Sequence, residues 1–450
     1  MTELKSLEAD ALKLVELTLK AGADACDVVV ASGSSLSSSV RNGSVENKNR
    51  SEGDGISLRA FCGKKVASVN SNSKNNLNQL AERAVAMAKV SPEDPFQGLA
   101  PDEILFSNSD IEQKMGELDL NDTYEPNVEE LEKLALQCEE AGLDVEGVVQ
   151  SMGAGAASSK SGFVLAASNG FLGSYLRSGF SISASMLAGE GTGMQRDYDY
   201  DSATHFADLK STSEIGASAG KRTVERLNPR QVNSGSYPIV FDPRISAGIV
   251  GTLAGAINGS SIARKTSFLR DKMHSSVARK AINIIDDPHM EKRAGSKVFD
   301  GEGVANNRLE LVSDGILQTW LLDCATAREL ELKTNGRAGR GGSGTSPTTS
   351  NCYMEPGEQS PDEIISSIKD GLYLTETIGH GINMVTGDYS KGAAGFWIEN
   401  GEIAFPVAEI TVAGNLADMF LNMTPANNLE FKYATNAPTL LIEGMTIGGK

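Results

Sequence analysis

Histidine and cysteine are scarce in this chain: 450 residues hold four of the first and five of the second. The histidines are His205, His274, His289 and His380, and none stands three to five residues from another. The chain therefore lacks the local pair of imidazoles from which a helical or hairpin metal site is built. Cys26, Cys62, Cys138, Cys324 and Cys352 are odd in number and widely spaced, with no CxxC. That excludes a zinc ribbon or a disulfide framework and leaves free thiols in a reducing compartment. Long apolar runs are missing as well. No stretch of about 18 consecutive apolar residues occurs, so no membrane-spanning helix is expected. Residues 1–21 alternate charge with Leu and Val, unlike a signal peptide, and the expected location is cytoplasmic. An excess of basic charge is also absent. A net charge of −18 argues against direct binding to nucleic acid or anionic lipid, and suits solubility or a basic partner.

What is present is a chain long enough for two or three domains. Leu4, Leu7, Ala11, Leu14 and Val15 predict an amphipathic first helix. Strands follow over 26–31, 36–40 and 45–49, the last two flanking the turn pair Asn42-Gly43. A second hairpin is expected across Gly63, then a helix over 77–90. Residues 91–110 read as loop, 128–142 as a helix, 148–194 as two or three strands rich in Ser, Gly and Ala, and 209–227 as another helix. A strand over 237–241 leads into a helix over 245–258. Beyond 281, short strands alternate with turn signals at Asp300-Gly301, Asp314-Gly315 and Asn400-Gly401, with a late helix over 361–372. The class is α+β: an N-terminal α/β-layered region with antiparallel strands, and a mostly β C-terminal domain. The expected boundaries are 1–100 (N-terminal α+β), 101–228 (central α+β) and 229–450 (mostly β).

Several local patterns suggest chemistry and have plainer explanations. Gly216-Ala217-Ser218-Ala219-Gly220 fits G-x-S-x-G, but a nucleophile elbow needs a buried strand before it, and residues 210–214 are polar. Small residues for close helix packing explain the pattern better. Asp197, Asp199 and Asp201 resemble the start of a calcium loop, yet their alternation with Tyr198 and Tyr200 reads as a strand with one acidic face. Asp286-Asp287-Pro288-His289 offers metal donors but reads as a turn with solvated acids. The glycine-rich stretch 337–344 reads as a mobile loop, whose Arg337 and Arg340 could clamp a peptide carboxylate. His380, between two glycines, is a further candidate for contact with a substrate.

The second half of the chain resembles the TldD/PmbA family, specifically its PmbA (TldE) branch. The residues that carry the resemblance are Arg264 to Leu269, Phe299 to Gly303, Asp314 to Leu317 with Trp320 to Leu322, and above all Gly387 to Gly414, with Gly-Asp-Tyr-Ser, Gly-Ala-Ala-Gly-Phe-Trp and Pro-Val-Ala-Glu-Ile-Thr-Val-Ala-Gly. In the first half, Arg196 to Tyr200 matches too. The resemblance implies a metalloprotease of two related subunits that acts on unstructured peptides. In the TldD subunit, H-E-x-x-x-H on a helix and a cysteine near the C-terminus bind zinc, whose bound water the glutamate deprotonates.

Carried onto this chain, the first His falls on Gly251, the Glu on Thr252 and the second His on Ala256. No His, Cys or Glu lies between Phe241 and Leu269, and residues 431–450 contain no Cys. Glycine, threonine and alanine offer no ionisable donor to zinc. The resemblance thus implies a PmbA-type subunit with a degenerate site, no metal of its own, zinc in a TldD-type partner, and a homodimer as an option for the isolated chain. In the same context 337–344 could serve as a lid over a peptide cleft. Two alternatives remain open at this point: an autonomous metallopeptidase with ligands of another kind, and a protein-binding regulator linked to DNA gyrase, a name some family members carry.

Overall fold

The computed structural model describes residues 2–341 and 344–450. Its first half comprises α1 (Thr2–Lys20), β1 (Ala25–Arg41), β2 (Ser44–Cys62), β3 (Lys65–Ser71), α2 (Leu77–Val90), α3 (Asn108–Leu118), α4 (Val128–Leu143), β4 (Val148–Ala167), β5 (Leu172–Ala188), β6 (Gln195–Ala203) and α5 (Thr212–Glu225). The strands form one antiparallel sheet in the order β3-β2-β1-β4-β5-β6. Strands read from the sequence as short are long. The serine run after Gly33 lacks hydrophobic alternation, but β1 is hydrogen-bonded on both sides, from Asp27↔Ala167 to Val40↔Ala154 against β4. Ladder bonds from two neighbours hold polar residues in a strand that their side chains do not announce. The same pairing joins the segments 1–100 and 101–228 in a single sheet.

The two faces of this sheet differ. On one, Leu7, Ala11 and Leu14 of α1 and Ala81, Ala84 and Val85 of α2 pack on Val28, Val30 and Val164. Further along the same strands, Leu131 and Ala135 of α4 and Ile215 and Ala219 of α5 cover Val40, Ala154, Ile182 and Met186. The other face meets α3 and the C-terminal half through Val29, Leu165, Phe171, Val298 and Phe299. Helix α3 begins inside the segment expected to be loop. Only Ile111 and Leu118 of it are buried, too few to give a periodic signal.

The second half comprises β7 (Gly235–Phe241), α6 (Pro243–Ala256), α7 (Gly259–Ala263), β8 (Ile284–Asp287), β9 (Leu309–Ser313), β10 (Ile316–Leu317), α8 (Cys324–Glu329), β11 (Ala338–Gly341), β12 (Gly344–Pro347), β13 (Asn351–Met354), α9 (Pro361–Ser366), β14 (Asp370–Ile378), β15 (Asp388–Glu399), β16 (Glu402–Asn415), α10 (Leu416–Leu421), β17 (Met423–Pro425), β18 (Thr435–Asn436) and β19 (Leu440–Gly448). A sheet in the order β16-β15-β14-β7-β19-β17 closes on itself because β16 also pairs with β19. A second sheet, β10-β9-β8-β13-β18, lies beside it. Helix α6 packs into the shared core through Ile249, Val250 and Leu253, against Phe241, Leu372 and Leu440 among others. The fold is thus α+β with a β-rich second half.

The hairpin across Gly63 forms between β2 and β3, and turn chemistry accounts for three of the four expected at Asn-Gly or Asp-Gly pairs. Asn42-Gly43, Asp314-Gly315 and Asn400-Gly401 have positive φ at both residues, which only a pair such as Asn-Gly or Asp-Gly takes up cheaply. Asp300-Gly301 is not a hairpin turn. Asp300 instead turns its carboxylate inward, accepting from the backbone N–H groups of Glu302 and Val304 at 2.9 Å each and of Ala338 at 3.0 Å. The late helix stops at Ser366, and Leu372 belongs to β14, whose pairing with β7 and β15 overrides helical propensity. All five cysteines are free thiols, four buried and Cys62 half-buried. Among the described residues, no helix is long and apolar enough to cross a membrane.

Candidate functional site

Helix α6 is built to a plain local rule. β7 delivers the chain to Asp242, whose side chain caps the helix by accepting from the Arg244 N–H at 2.9 Å, and Pro243 occupies the first turn. The buried stripe is Ser246, Ile249, Val250, Leu253, Ala254 and Ala256. Gly248, Gly251, Thr252 and Gly255 lie off that stripe. A methyl group at Gly248 or Gly251 would meet nothing within 4 Å, and one at Gly255 would meet only the Met384 side chain, at 3.6 Å. This face is open and smooth. Its one hydroxyl, on Thr252, donates back to the Gly248 carbonyl at 2.7 Å.

The positions onto which the motif falls, two for zinc ligands and one for the base, differ in exposure. Gly251 is exposed, Thr252 is partly exposed, and Ala256 has no exposed surface at all. Five residues along a helix is a turn of about 140° from the starting direction, whereas four is close to a full revolution. Gly255, not Ala256, is the neighbour of Gly251 on the open face. Gly248, Gly251, Thr252 and Gly255 carry no ionisable side chain, and no group of three or more His, Cys, Asp or Glu side chains able to hold a metal exists among the described residues. The residues present do not fit a catalytic zinc.

Around the start of α6 the side chains are charged and interlocked. Arg244 reaches Asp197 at 3.0 Å, Arg226 reaches the same carboxylate at 3.3 Å, and Tyr373 donates to Asp242 at 2.8 Å. Burial and the neighbouring Asp242 carboxylate push the Tyr373 phenol well above its usual range. Asp197 and Asp199 point to the α5 side of β6, where Asp199 meets Lys432 at 3.2 Å. Asp197 and Asp199 thus neutralise bases, and each accepts from the N–H of the following tyrosine, at 2.8 Å for Tyr198 and 2.9 Å for Tyr200; Asp201 accepts from the Lys210 N–H at 2.9 Å. No calcium loop forms.

A cavity of about 1080 Å³ opens between the second face of the large sheet and the segments 290–294 and 430–433. Serines, glycine and alanine of β1, β4 and β5 line its sheet side, and Lys210, Lys292, Arg293 and Lys432 share the rest of the lining with Asp201, Asp208, Glu291 and Glu430.

The other expected site residues fall elsewhere. Arg337 is not a loop residue open to substrate. Its side chain is 2% exposed and donates from Nε to Asp286 at 2.5 Å and to the Asp286, Asn335, Gly336 and Asn307 carbonyls. A guanidinium spent on five partners is a structural tie between β8 and the segment before β11. Asp286 is therefore not one of the solvated acids of a turn that the sequence suggested: it has no exposed surface and ends the core of β8, where Ser350 also donates to it. His289 is held by Asn306 at 2.9 Å, and burial lowers its pKa. Arg340 lies in β11 and donates to Asp27. The arms of the glycine-rich stretch pair as β11 and β12, so they are strands and not loop. Gly342 and Ser343, at the centre of the expected mobile segment, lie outside the described residues. His380 is exposed, on the stretch 378–386 that brings Met384 beside Gly255. The same stretch exposes Ile378 (63%) and Val385 (53%), which sequence reading passed over. The G-x-S-x-G residues lie within α5: a methyl on Gly216 would overlap the Cys138 carbonyl oxygen of α4, which makes this a helix-packing contact.

Comparison with known proteins gives matches along almost the whole chain. Family models match at 26–88 (PmbA/TldA metallopeptidase domain 1), 121–227 (PmbA/TldA metallopeptidase central domain) and 234–449 (PmbA/TldA metallopeptidase C-terminal domain). A relative described as metalloprotease PmbA homolog, from Haemophilus influenzae, is 35% identical over 97% of this chain and 94% of its own length. A crystal structure from Bacteroides thetaiotaomicron, of a protein described as a candidate modulator of DNA gyrase, is 26% identical, with a TM-score of 0.88 over 98% of both chains. TldE from Thermococcus kodakarensis shares the fold, with a TM-score of 0.85 at 18% identity over 98% of this chain and 100% of its own.

Proposed function

We propose, because the chain belongs to the PmbA/TldA metallopeptidase family on its PmbA branch, that it is the metal-free subunit of a TldD–TldE peptidase. It pairs with a zinc-bearing TldD-type subunit, helps hold an unstructured or leader peptide, and does not hydrolyse that peptide alone. The observation that carries this reading is the open face of α6, where glycines and one internally bonded threonine stand in place of metal donors.

Four further features support it. Exposed Ile378 and Val385 border the same region, and apolar side chains displayed beside a smooth helix face suit a protein partner. Glycine at 248 and 251 also lets a partner's backbone approach α6 closely. The cavity of about 1080 Å³ supplies room for an extended peptide. Five free thiols favour the reducing cytoplasm as the place of work. Without a partner, the same surface would pair with a second copy of the chain.

The test is reconstitution. The purified chain is mixed with a TldD-type subunit, and co-elution and peptidase activity on an unfolded peptide are measured against each subunit alone. The proposal expects a joint peak and activity well above that of the TldD-type subunit alone. Stoichiometric zinc in the isolated chain, with chelator-sensitive hydrolysis, would overturn it in favour of an autonomous metallopeptidase.

A further inference from the structure

A cavity of about 390 Å³ lies between β4, β5 and the β11–β12 pair, and shares no lining residue with the cavity of about 1080 Å³. Its floor is aromatic. Phe163 and Tyr175 have ring centroids 5.4 Å apart, and Phe299 stands edge-on to Tyr175 at 5.6 Å. Its mouth is at Gly341 and Ser346, both exposed. Gly339 in the wall has no room for a side chain, because a methyl there would press on Thr348.

Two cations border this space with donors to spare. The Arg340 side chain is only 7% exposed, and only its Nη2 is engaged, on Asp27; Nε and Nη1 are buried with no hydrogen-bond partner. Lys297 donates to the Thr349 carbonyl at 3.0 Å and has no ion pair among the described residues. The one carboxylate in the lining, Asp300, is occupied by three backbone N–H groups. Buried donors on a charged group are costly when left unmet, and folded proteins meet them with a partner or a ligand. Asp27 divides its charge between Arg340 and Arg59, and Lys297 has no ion pair among the described residues; a water molecule can accept a hydrogen bond here but brings no counter-charge. An anion does both.

We infer that this cavity is a binding site for a small organic carboxylate: the carboxylate lies against Arg340 and Lys297, and an apolar or aromatic body lies over Phe163, Tyr175 and Phe299. The volume is in the range of small-ligand pockets. The same chemistry comes from two sources, the C-terminus of a peptide that ends in an apolar residue and a free aromatic acid. The inference concerns the isolated chain and stands whether or not the subunit reading holds.

Calorimetric titration of the isolated chain tests it with four probes: hippurate, hippuramide, and a pentapeptide ending in Phe as the free acid and as the amide. At least one acid is expected to bind, and its amide not. Hippurate alone would identify a free acid, the peptide acid alone a chain terminus. Arg340→Gln is expected to weaken the bound acid about ten-fold or more, the loss typical of a charge-assisted hydrogen bond. Since Arg340 also holds Asp27, Lys297→Met is the second variant. It removes one backbone contact, keeps the fold, and is expected to weaken the acid to a similar degree. Three results would each overturn the inference: no binding of either acid at low-millimolar concentration, equal binding of acid and amide, or unchanged acid affinity in Lys297→Met.

Discussion

Asp27 and Arg59 stand directly opposite each other on β1 and β2, with the guanidinium side-on to the carboxylate and its Nε 3.0 Å from both oxygens. Both side chains are buried, and Arg340 donates to the same carboxylate from far along the chain. Arg59 also bonds Thr345 of β12 at 2.8 Å. One anion therefore fastens the large sheet to the β11–β12 pair. Asp27→Ala leaves the buried Arg340 without its counter-charge and Arg59 with Glu302 alone, at 3.5 Å. The expected loss is about 3–5 kcal/mol, measured by urea unfolding. A loss under about 1 kcal/mol would mean that water reaches the cluster and replaces the carboxylate.

The acid limbs of stability follow from opposite shifts. The two guanidiniums hold the Asp27 carboxyl well below the usual range, despite burial. Its contribution is complete above the unfolded pKa, near 4, and is lost only as the pH falls through the depressed folded value. Asp300 is the reverse case. Burial, then the nearby Glu302 carboxylate, push it up to about 7. Between about pH 4 and 7 the folded state therefore holds a proton that the unfolded state has released, so this group's effect on stability declines as the pH rises through that window. The difference in unfolding free energy between wild type and Asp300→Asn should shift between pH 5 and pH 8, with the wild type losing ground. A difference independent of pH would show that the three N–H donors keep Asp300 ionised throughout.

Two glycine-to-alanine changes should move stability in opposite directions. Gly216→Ala drives a methyl into the Cys138 carbonyl where α5 crosses α4, and backbone cannot yield cheaply. The expected cost is about 1–3 kcal/mol. Gly251→Ala adds a methyl in open space on a helix, and should stabilise by up to about 1 kcal/mol. Thermal or urea melts decide both. Equal effects would mean that the α4–α5 contact relaxes freely.

The phase of α6 can be read with paired histidines. Gly251→His with Gly255→His places two imidazoles one turn apart on the open face, and should bind Zn²⁺ or Ni²⁺ measurably. Gly251→His with Ala256→His should not, and should destabilise, because position 256 faces the core. Metal titration followed by a melt distinguishes the two. Tight binding by the second pair would place the helix in another rotation.

Gly251→Trp tests the same face as an interface. The isolated chain should fold normally, and its co-elution with a TldD-type subunit should weaken at least about ten-fold, since a bulky side chain blocks close backbone approach. Unchanged association would move the interface away from α6.

Elements whose signal is local were legible in the sequence. Asn42-Gly43 and Asn400-Gly401 specify their turns through the φ values they tolerate. The spacing of Leu7, Ala11 and Leu14 marks the buried face of α1. Pro361 to Ser366 starts as a helix with Ser360 and Glu363 as a reciprocal cap, but its length is decided by β7 and β15 claiming the residues after it. Asp300-Gly301 has the composition of a turn, and became an inward-facing acceptor because Ala338 lies beside it.

For the site, the sequence alone determined what chemistry is missing. A metal needs donor side chains, and the absence of His, Cys, Asp and Glu from 243–268 and of Cys from 431–450 can be counted without knowing the fold. Only the tertiary structure decided which side of α6 meets solvent, that Arg337 is spent on Asp286, and that Arg340 meets Asp27 with donors left over. Ligand chemistry belongs to single residues. Burial and pairing belong to residues 51 positions apart, as for Arg337 and Asp286, or 313, as for Arg340 and Asp27, which only packing brings within reach.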